Sequence, residues 1–398
     1  MEKVFYEERD RCFCCSDIQM RVAVLGATGS VGKAVMDIVR LFPNFLIPVV
    51  LVGGSNVDLM QKLFMEFRPK RVGMFFEPAA EDLEKRLGVN VYSGDSALLD
   101  IWKYYDDIDA IVVCVSGIHG FKPIYEAVKL GKRVFFSTKE ALVVGGGFII
   151  TELKSKEQLI PLDSEHWAIL SCLDLRGEVK RIFLTASGGA LRDRSHEERR
   201  RASPLEVLEH PVWNMGKKIT VDSATLMNKG FEVIEAYHLF GLSLDSIKVL
   251  IHREGYVHGM VEFLDGSVKA LLFYPDMRIV VQEALLHPLI LENPALPKIE
   301  FNGKVNLSFE EPDFEEYPCL SYAYYAARVG GNLPVILNAA DEVAVSLFLS
   351  YRLKFSDIPK FIRKVLFYFP REDLDSPEDI FFWDREARKF AEEVSRNC

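Results

Sequence analysis

From Arg21 onward, short β-branched runs alternate with amphipathic stretches: "RVAVLG", then "SVGKAVMDIVRLF", then "FLIPVVLVGG", and later "DAIVVCV" and "KRVFFST". Strand, helix and strand at this spacing predict a parallel sheet with crossover helices, and the pattern holds to about residue 163. From 180 to 300 it changes. "RIFLTAS" and "KVLIHREGYVHGMVEFLDGSVKALLFY" predict an α+β segment with a hairpin at Asp265-Gly266, a turn pair that favours positive φ. The acidic "SFEEPDFEEYPCL" (308–320), with Pro312 and Pro318, reads as a connector, and everything beyond it reads as helical. There Gly330-Gly331 ends one helix and Pro334 suits the start of the next. Ser356 and Ser376 are N-cap candidates, the latter in "SPED", which is like a capping box.

The predicted fold is therefore α/β. A Rossmann-type nucleotide domain spans 20–163, a central α+β catalytic domain 164–300, a linker 301–317 and a C-terminal helical domain 318–398. Residues 1–19, ahead of Met20 at the first strand, read as a peripheral extension. At 398 residues the chain exceeds one ordinary core, which agrees with this division.

Charge and cysteine usage narrow the class. A formal charge of −10 argues against nucleic-acid binding, which needs a basic footprint. The apolar stretch "FLIPVVLV" (45–52) is far shorter than a membrane span, and the charged start "MEKVFYEERDRCFCC" has no apolar signal region. The expected compartment is the cytosol. Seven scattered cysteines make no disulfide framework. Cys12, Cys14 and Cys15 could serve as metal ligands, but no second pair at finger-like spacing completes a site.

Three stretches carry chemistry. "VAVLGATGSVGKAV" sets Gly26, Gly29 and Gly32 between a strand and a helix, a G-x-x-G-x-x-G turn whose backbone N–H groups can hold a pyrophosphate. The second strand ends in Gly53, Gly54, Ser55 and Asn56, with no carboxylate at its tip to repel a 2′-phosphate, so the expected cofactor is NADPH. Asp58 would alter that expectation if the strand ended later. In "PLDSEH", Asp163 and Glu165 are two apart and share a face if the segment is extended. With one more carboxylate they would form an all-oxygen site for Mg²⁺ or Mn²⁺; otherwise they are an N-cap or a surface acid pair.

The partner is sought on the helix after Asp222-Ser223. There Met227, Phe231 and Ile234 form an apolar stripe, Asn228, Glu232 and Glu235 line another face, and Lys229 lies one turn from Glu232. Ser223, Asn228 and Lys229, with Ser187 of "TASGGA", offer the donors a phosphate needs. Between Gly188 and Gly216 a polar stretch ends in His210, Trp213 and Met215 and reads as a lid that closes over a ligand. Arg199, Arg200 and Arg201 within it read as a solvated helix face.

"GATGSVG", "STKEALV", "PLDSEH", "ASGG", "HPVWNMGKKITVDSATLMNKGFEVIEA", "YPDMR" and "LNAADEVAV" occur in the order found in the 1-deoxy-D-xylulose 5-phosphate reductoisomerase family, which the chain resembles over about residues 20–398. That resemblance implies an NADPH-dependent rearrangement and reduction to 2-C-methyl-D-erythritol 4-phosphate with Mg²⁺, Mn²⁺ or Co²⁺, in a homodimer. By the same resemblance Asp163, Glu165 and Glu232 match the metal ligands, Ser164 a substrate contact, and Lys139 a residue near both. Ser187, Ser223, Asn228 and Lys229 match the phosphate side, and His210 and Trp213 the lid contacts. Thr28, Gly29, Ser30, Val31, Gly54, Ser55, Asn56, Thr138, Glu140 and Gly216 match the NADPH side. The chain departs from the family pattern at "HREG" (252–255) and "PDMRIVV", which bears on packing and on the wall beside Met277.

Two other readings compete. Another two-domain NADP oxidoreductase, such as a semialdehyde dehydrogenase, would need a nucleophilic cysteine, whereas Cys114 in "AIVVCVSG" reads as a buried strand residue with nothing adjacent to lower its pKa. A silent NADP-binding sensor would tolerate loss of Asp163 or Glu232.

Overall fold

The computed structural model describes residues 19–103, 105–173, 178–213 and 215–396. Cys12, Cys14, Cys15 and nearly all of the expected extension lie outside these residues.

Seven strands form one parallel sheet: β1 (Met20–Leu25), β2 (Leu46–Gly53), β3 (Arg71–Met74), β4 (Val91–Ser93), β5 (Ala110–Val113), β6 (Arg133–Phe136) and β7 (Leu159–Pro161), in the order β4-β3-β2-β1-β5-β6-β7. The unbroken apolar run of β1 follows from its central position. Alternate side chains serve two cores, Val22 and Val24 on one face and Ala23 and Leu25 on the other. Strand order reverses direction beside β1, between its β2 and β5 neighbours. A crevice opens at the carboxyl ends of such strands, where nucleotides bind in doubly wound folds.

A second sheet holds β8 (Val179–Ala186), β9 (Ile247–Ile251), β10 (Val257–Phe263) and β11 (Val268–Leu272), ordered β11-β10-β8-β9, with only β8 and β9 parallel. The expected hairpin joins β10 to β11, with Gly266 at φ 84°. Segment 308–320, expected as a connector, also completes a sheet: Glu310 bridges Ile251 at the β9 edge and satisfies backbone groups there.

Helices Pro318–Val329, Leu333–Leu349, Ile358–Leu366 and Pro377–Ser395 follow. Leu333–Leu349 is buried along most of its length and forms their hub. Ser376 makes the expected capping box with Asp379. Ser356 does not cap: it lies within a short 3₁₀ turn, Phe355–Asp357, and Asp357 takes the position before the next helix. Turn residues there are helical already, so no extended N-cap geometry is left for the serine.

The stretch between Gly188 and Gly216 is more built than a polar loop. It holds two short helices, His196–Arg200 and Pro204–Val207, each started by a capping box, Ser195 with Glu198 and Ser203 with Glu206. Leu191, Ala202 and Val207 are buried in the same core as the C-terminal helices.

Candidate active site

The nucleotide crevice is shaped by glycine. A Cβ on Gly32 would lie 2.0 Å from the Gly26 carbonyl oxygen, and one on Gly26, itself at φ 97°, would lie 2.4 Å from the Cys114 carbonyl oxygen. Only hydrogen at these positions lets helix Ser30–Leu41 start directly against β1 and β5. Across the crevice the Gly54 amide donates to the Thr28 hydroxyl (3.3 Å), tying the β1 turn to the β2 turn. Asn56 accepts from the Leu59 amide and caps helix Val57–Phe67. Asp58 is exposed and paired with Arg86 (2.6 Å), so it is committed away from the β2 tip.

At the sheet's far end, β7 delivers Asp163 to the N-cap of helix Ser164–Cys172. The segment is therefore not extended as the D-x-E spacing suggested. The Asp163 carboxylate accepts from the Glu165 and His166 amides while its second oxygen meets Lys139, so capping and an acid site coexist. Oxygens of Asp163, Glu165 and Glu232 all lie within 4.8 Å of one another. Glu232 comes from helix Met227–Phe240, whose opposite stripe of Met227, Phe231 and Ile234 is buried in the helical core.

Two ammonium groups pair with the three acids. Lys139 bridges Asp163 and Glu232 at 2.8 Å each, and Lys229 contacts Glu165 at 2.9 Å and also Glu232. Burial and the facing Glu232 carboxylate push Glu165 up to about 7. Burial alone would also raise Asp163, but Lys139 and His166 outweigh it and hold that carboxyl well below the usual range. An oxygen-only triad of this kind fits Mg²⁺ or Mn²⁺ better than zinc.

His166 lies beneath the triad, fully buried. Its ring nitrogens face two acceptors, Asp163 Oδ1 at 2.9 Å and the Glu232 carbonyl oxygen at 3.0 Å, so both must carry protons. Burial opposes that charge, but Glu235 and Asp163 raise the imidazole to about 9. Asp163, His166 and Glu235 also approach one another closely, but this group sits behind the cavity and His166 has no free lone pair for an ion.

A cavity of about 160 Å³ stands in front of the triad. Ser30, Val31 and Gly216 line it from the nucleotide side, and Lys139, Ser164, Asn228 and Lys229 from the acid side. Ser187, His210, Trp213 and Ser223 close its other end. His210 accepts the Trp213 and Val212 amides on Nδ1 (2.8 and 3.2 Å), which leaves the proton on Nε2, 3.0 Å from the Ser187 hydroxyl and 3.2 Å from that of Ser223. Burial and Arg192 lower this imidazole to about 4, so it is neutral near pH 7. Trp213 packs edge-on against His258, which stacks on Phe273. The start of segment 188–216 is pinned too: Gly189 sits at φ 73°, where a Cβ would come within 2.6 Å of the Ala224 backbone beside Ser223.

The donors expected on the phosphate side are divided. Ser187, Ser223 and His210 stand together, whereas Asn228 donates to Glu232 (2.6 Å) and Lys229 to the acids. Thr28, Gly29, Gly54, Ser55 and Asn56 lie along the neighbouring crevice and do not line this cavity. Thr138 turns its hydroxyl onto the Val115 carbonyl, and Glu140 faces Lys218 (3.4 Å). "HREG" grips segments 188–216 and 308–320: Arg253 pairs with Asp193, Glu254 accepts from Ser308, and Gly255 abuts Val212. Arg199 is not part of a solvated face, being held by Glu316 and Tyr317 at 2.8 Å each.

Family models described as 1-deoxy-D-xylulose 5-phosphate reductoisomerase match residues 22–146, and models for its C-terminal domains match 159–240 and 272–390. The chain belongs to the 1-deoxy-D-xylulose 5-phosphate reductoisomerase family. A reductoisomerase of Caldanaerobacter subterraneus subsp. tengcongensis is 44% identical over 374 residues, covering 93% of this chain and 97% of that one. One of Thermodesulfovibrio yellowstonii is 40% identical over 375 residues, covering 93% and 98%. Among solved structures, a DOX-P reductoisomerase in complex with NADPH, fosmidomycin and magnesium superposes with a TM-score of 0.88 at 33% identity, over 95% of this chain and 98% of that one. The Zymomonas mobilis enzyme with NADPH gives 0.86 at 34%, over 96% and 100%.

The semialdehyde-dehydrogenase reading loses its nucleophile, since burial pushes the Cys114 thiol up to about 12. Sequence reasoning passed over His166 although it stood in the quoted motif. Read as a helix start, "DSEH" places His166 three residues on, beneath Asp163.

Proposed function

We propose that the chain rearranges and reduces 1-deoxy-D-xylulose 5-phosphate to 2-C-methyl-D-erythritol 4-phosphate with NADPH and a divalent ion. The observation that carries this is one cavity joining an all-carboxylate triad, a neutral hydroxyl–imidazole donor set and a nucleotide crevice at a strand switch point. Asp163, Glu165 and Glu232 would hold Mg²⁺, Mn²⁺ or Co²⁺, which supplies Lewis-acid polarisation of the substrate's ketone and hydroxyl oxygens, while NADPH supplies the hydride.

The chain's own groups do the rest. Ser187, Ser223 and His210 Nε2–H donate to the substrate phosphate, with Asn228 and Lys229 turning toward it once an ion relieves their hold on the acids. Binding energy gained there orients the reacting carbons. Ser164 and Lys139 contact the sugar oxygens nearest the triad. Trp213 and the lid exclude water from reactive intermediates. On the cofactor side, Thr28, Gly29, Ser30 and Val31 present a helix N-terminus to the pyrophosphate. Gly54, Ser55 and Asn56 accept the 2′-phosphate, and Thr138, Glu140 and Gly216 border the nicotinamide end.

The domain division at 163, 300 and 317 belongs to this proposal, as does a cytosolic homodimer. No described helix is long and apolar enough to cross a membrane. Dimerisation is supported by the exposed apolar side chains of the segment after β11, Ile290 at 100% and Phe301 at 66% exposure, together with the open, exposed edge of β11. The test is NADPH oxidation with 1-deoxy-D-xylulose 5-phosphate, with Mn²⁺ or with a chelator. Metal-dependent turnover abolished by Asp163→Ala supports the reading; a folded, NADPH-binding protein that never turns over refutes it.

A further inference from the structure

A cavity of about 640 Å³ lies apart from the catalytic one. It opens on the other side of the lid, between helix His196–Arg200 and helix Ile358–Leu366, and its floor reaches Ala224 and Thr225, next to Ser223. Its volume falls in the range of small-ligand sites. In a chain of net charge −10, five cationic side chains line it against two carboxylates. One of those carboxylates, Glu316, is spent on Arg199 (2.8 Å).

Both walls carry positive charge. On the helical-domain wall, helix Ile358–Leu366 buries Ile358, Phe361, Ile362, Val365 and Leu366 and leaves Lys360, Arg363 and Lys364 on its open side. Cations three and four residues apart on one helix face repel, and of the three only Lys360 has an ion-pair partner among the described residues, Asp357 at 2.7 Å. Arg200 stands exposed on the lid wall, likewise without an ion pair among the described residues. Between these walls the floor is aromatic: Tyr322 and Phe367 meet edge to face, with Phe355 beside them. Like charges facing each other across a partly apolar cleft are complementary to one kind of occupant.

We propose that this cleft is a regulatory site for a small amphiphilic organophosphate, whose anionic group bridges Arg200 of the lid to Arg363 and Lys364 while its apolar body rests on Tyr322 and Phe367. Bridging adds a second hold between the lid and the helical domain, beyond the burial of Leu191, Ala202 and Val207 in its core. Since Arg199 already anchors this lid helix to the connector, the added tether restrains the segment that leads to His210 and Trp213. That the restrained segment gates turnover rests on the function proposed above; binding itself does not.

The test is calorimetric titration of the full chain with phenyl phosphate and, separately, with inorganic pyrophosphate. Three proteins are compared: wild type, an Arg363→Glu/Lys364→Glu double variant, and Asn228→Ala, which weakens the catalytic phosphate pocket. Phenyl phosphate should bind wild type and Asn228→Ala alike and bind the double variant about tenfold or more weakly. Without the ligand, the double variant should keep wild-type kcat and KM. With it, kcat should fall in wild type and stay unchanged in the double variant. No heat with wild type overturns the site, as does binding lost in Asn228→Ala but kept in the double variant. Pyrophosphate binding as tightly as phenyl phosphate removes the aromatic floor from the proposal. Binding with no change in kcat overturns the coupling to the lid.

Discussion

If Asp163, Glu165 and Glu232 hold the ion as proposed, the Lys139 ammonium competes with it for the same oxygens, and replacing Lys139 with methionine should make that visible. Its ammonium touches Asp163 and Glu232, and the three side chains are 7%, 9% and 1% exposed. Removing one partner of a buried ion pair leaves uncompensated charge and costs about 3–5 kcal/mol. Lys229 still contacts Glu232, and His166 still donates to Asp163, so Lys139→Met should fall near the lower end, about 3 kcal/mol. A divalent ion changes the comparison. At one hundred times its Kd an ion stabilises the folded state by about 2.7 kcal/mol, and in the variant it no longer competes with an ammonium for the same oxygens. Urea unfolding followed by circular dichroism, in EDTA and in Mn²⁺, reads both effects. The variant should be clearly weaker in EDTA and should approach wild type in Mn²⁺, even though its turnover is lost. A deficit of the same size in both buffers would show that ion and ammonium do not share the site.

Three further outcomes are expected. Gly32→Ala, whose Cβ would overlap the Gly26 carbonyl oxygen, should weaken NADPH binding tenfold or more, read by cofactor fluorescence; unchanged affinity would show that the crevice does not hold the pyrophosphate. Iodoacetamide at pH 8 should leave activity intact, because the Cys114 thiol is held at about 12, and inactivation protected by NADPH would revive a cysteine mechanism. Burial lowers His238 to about 4 from an ordinary value near 6.5, so the unfolded chain binds the extra proton first as pH falls. The stability this gives is present above about pH 6.5 and drains away toward pH 4, and His238→Leu should flatten the slope of the denaturation midpoint across that window.

The nucleotide half was legible because its strands are buried on both faces and its turn admits only glycine, two constraints written in consecutive residues. The acid site was harder. Asp163 and Glu232 lie 69 positions apart, and no local pattern says that a helix phase will aim one at the other. Taking "DSEH" as extended also hid His166. The helices of segment 188–216 were only partly read: Arg199, Arg200 and Arg201 suggested a helix face, but "SHEE" and "SPLE", both S-x-x-E capping signals, went unused. Lys218 shows what a single sequence withholds. It binds Asp222 one turn away at 2.7 Å, an ordinary surface spacing, yet Asp341 from a distant helix approaches to 3.0 Å and both acids are buried.

The four tryptophans sit in four different settings. Trp102 is wholly buried with its indole N–H on the Leu98 carbonyl, Trp167 is fixed by Glu283, and Trp383 packs on Phe369 among the C-terminal helices. Trp213 alone lies in segment 188–216, proposed above as the lid, half-buried against His258. The chain thus carries its own optical gauge: emission that shifts when a ligand is added, and fails to shift in Trp213→Phe, reports lid position without any attached dye.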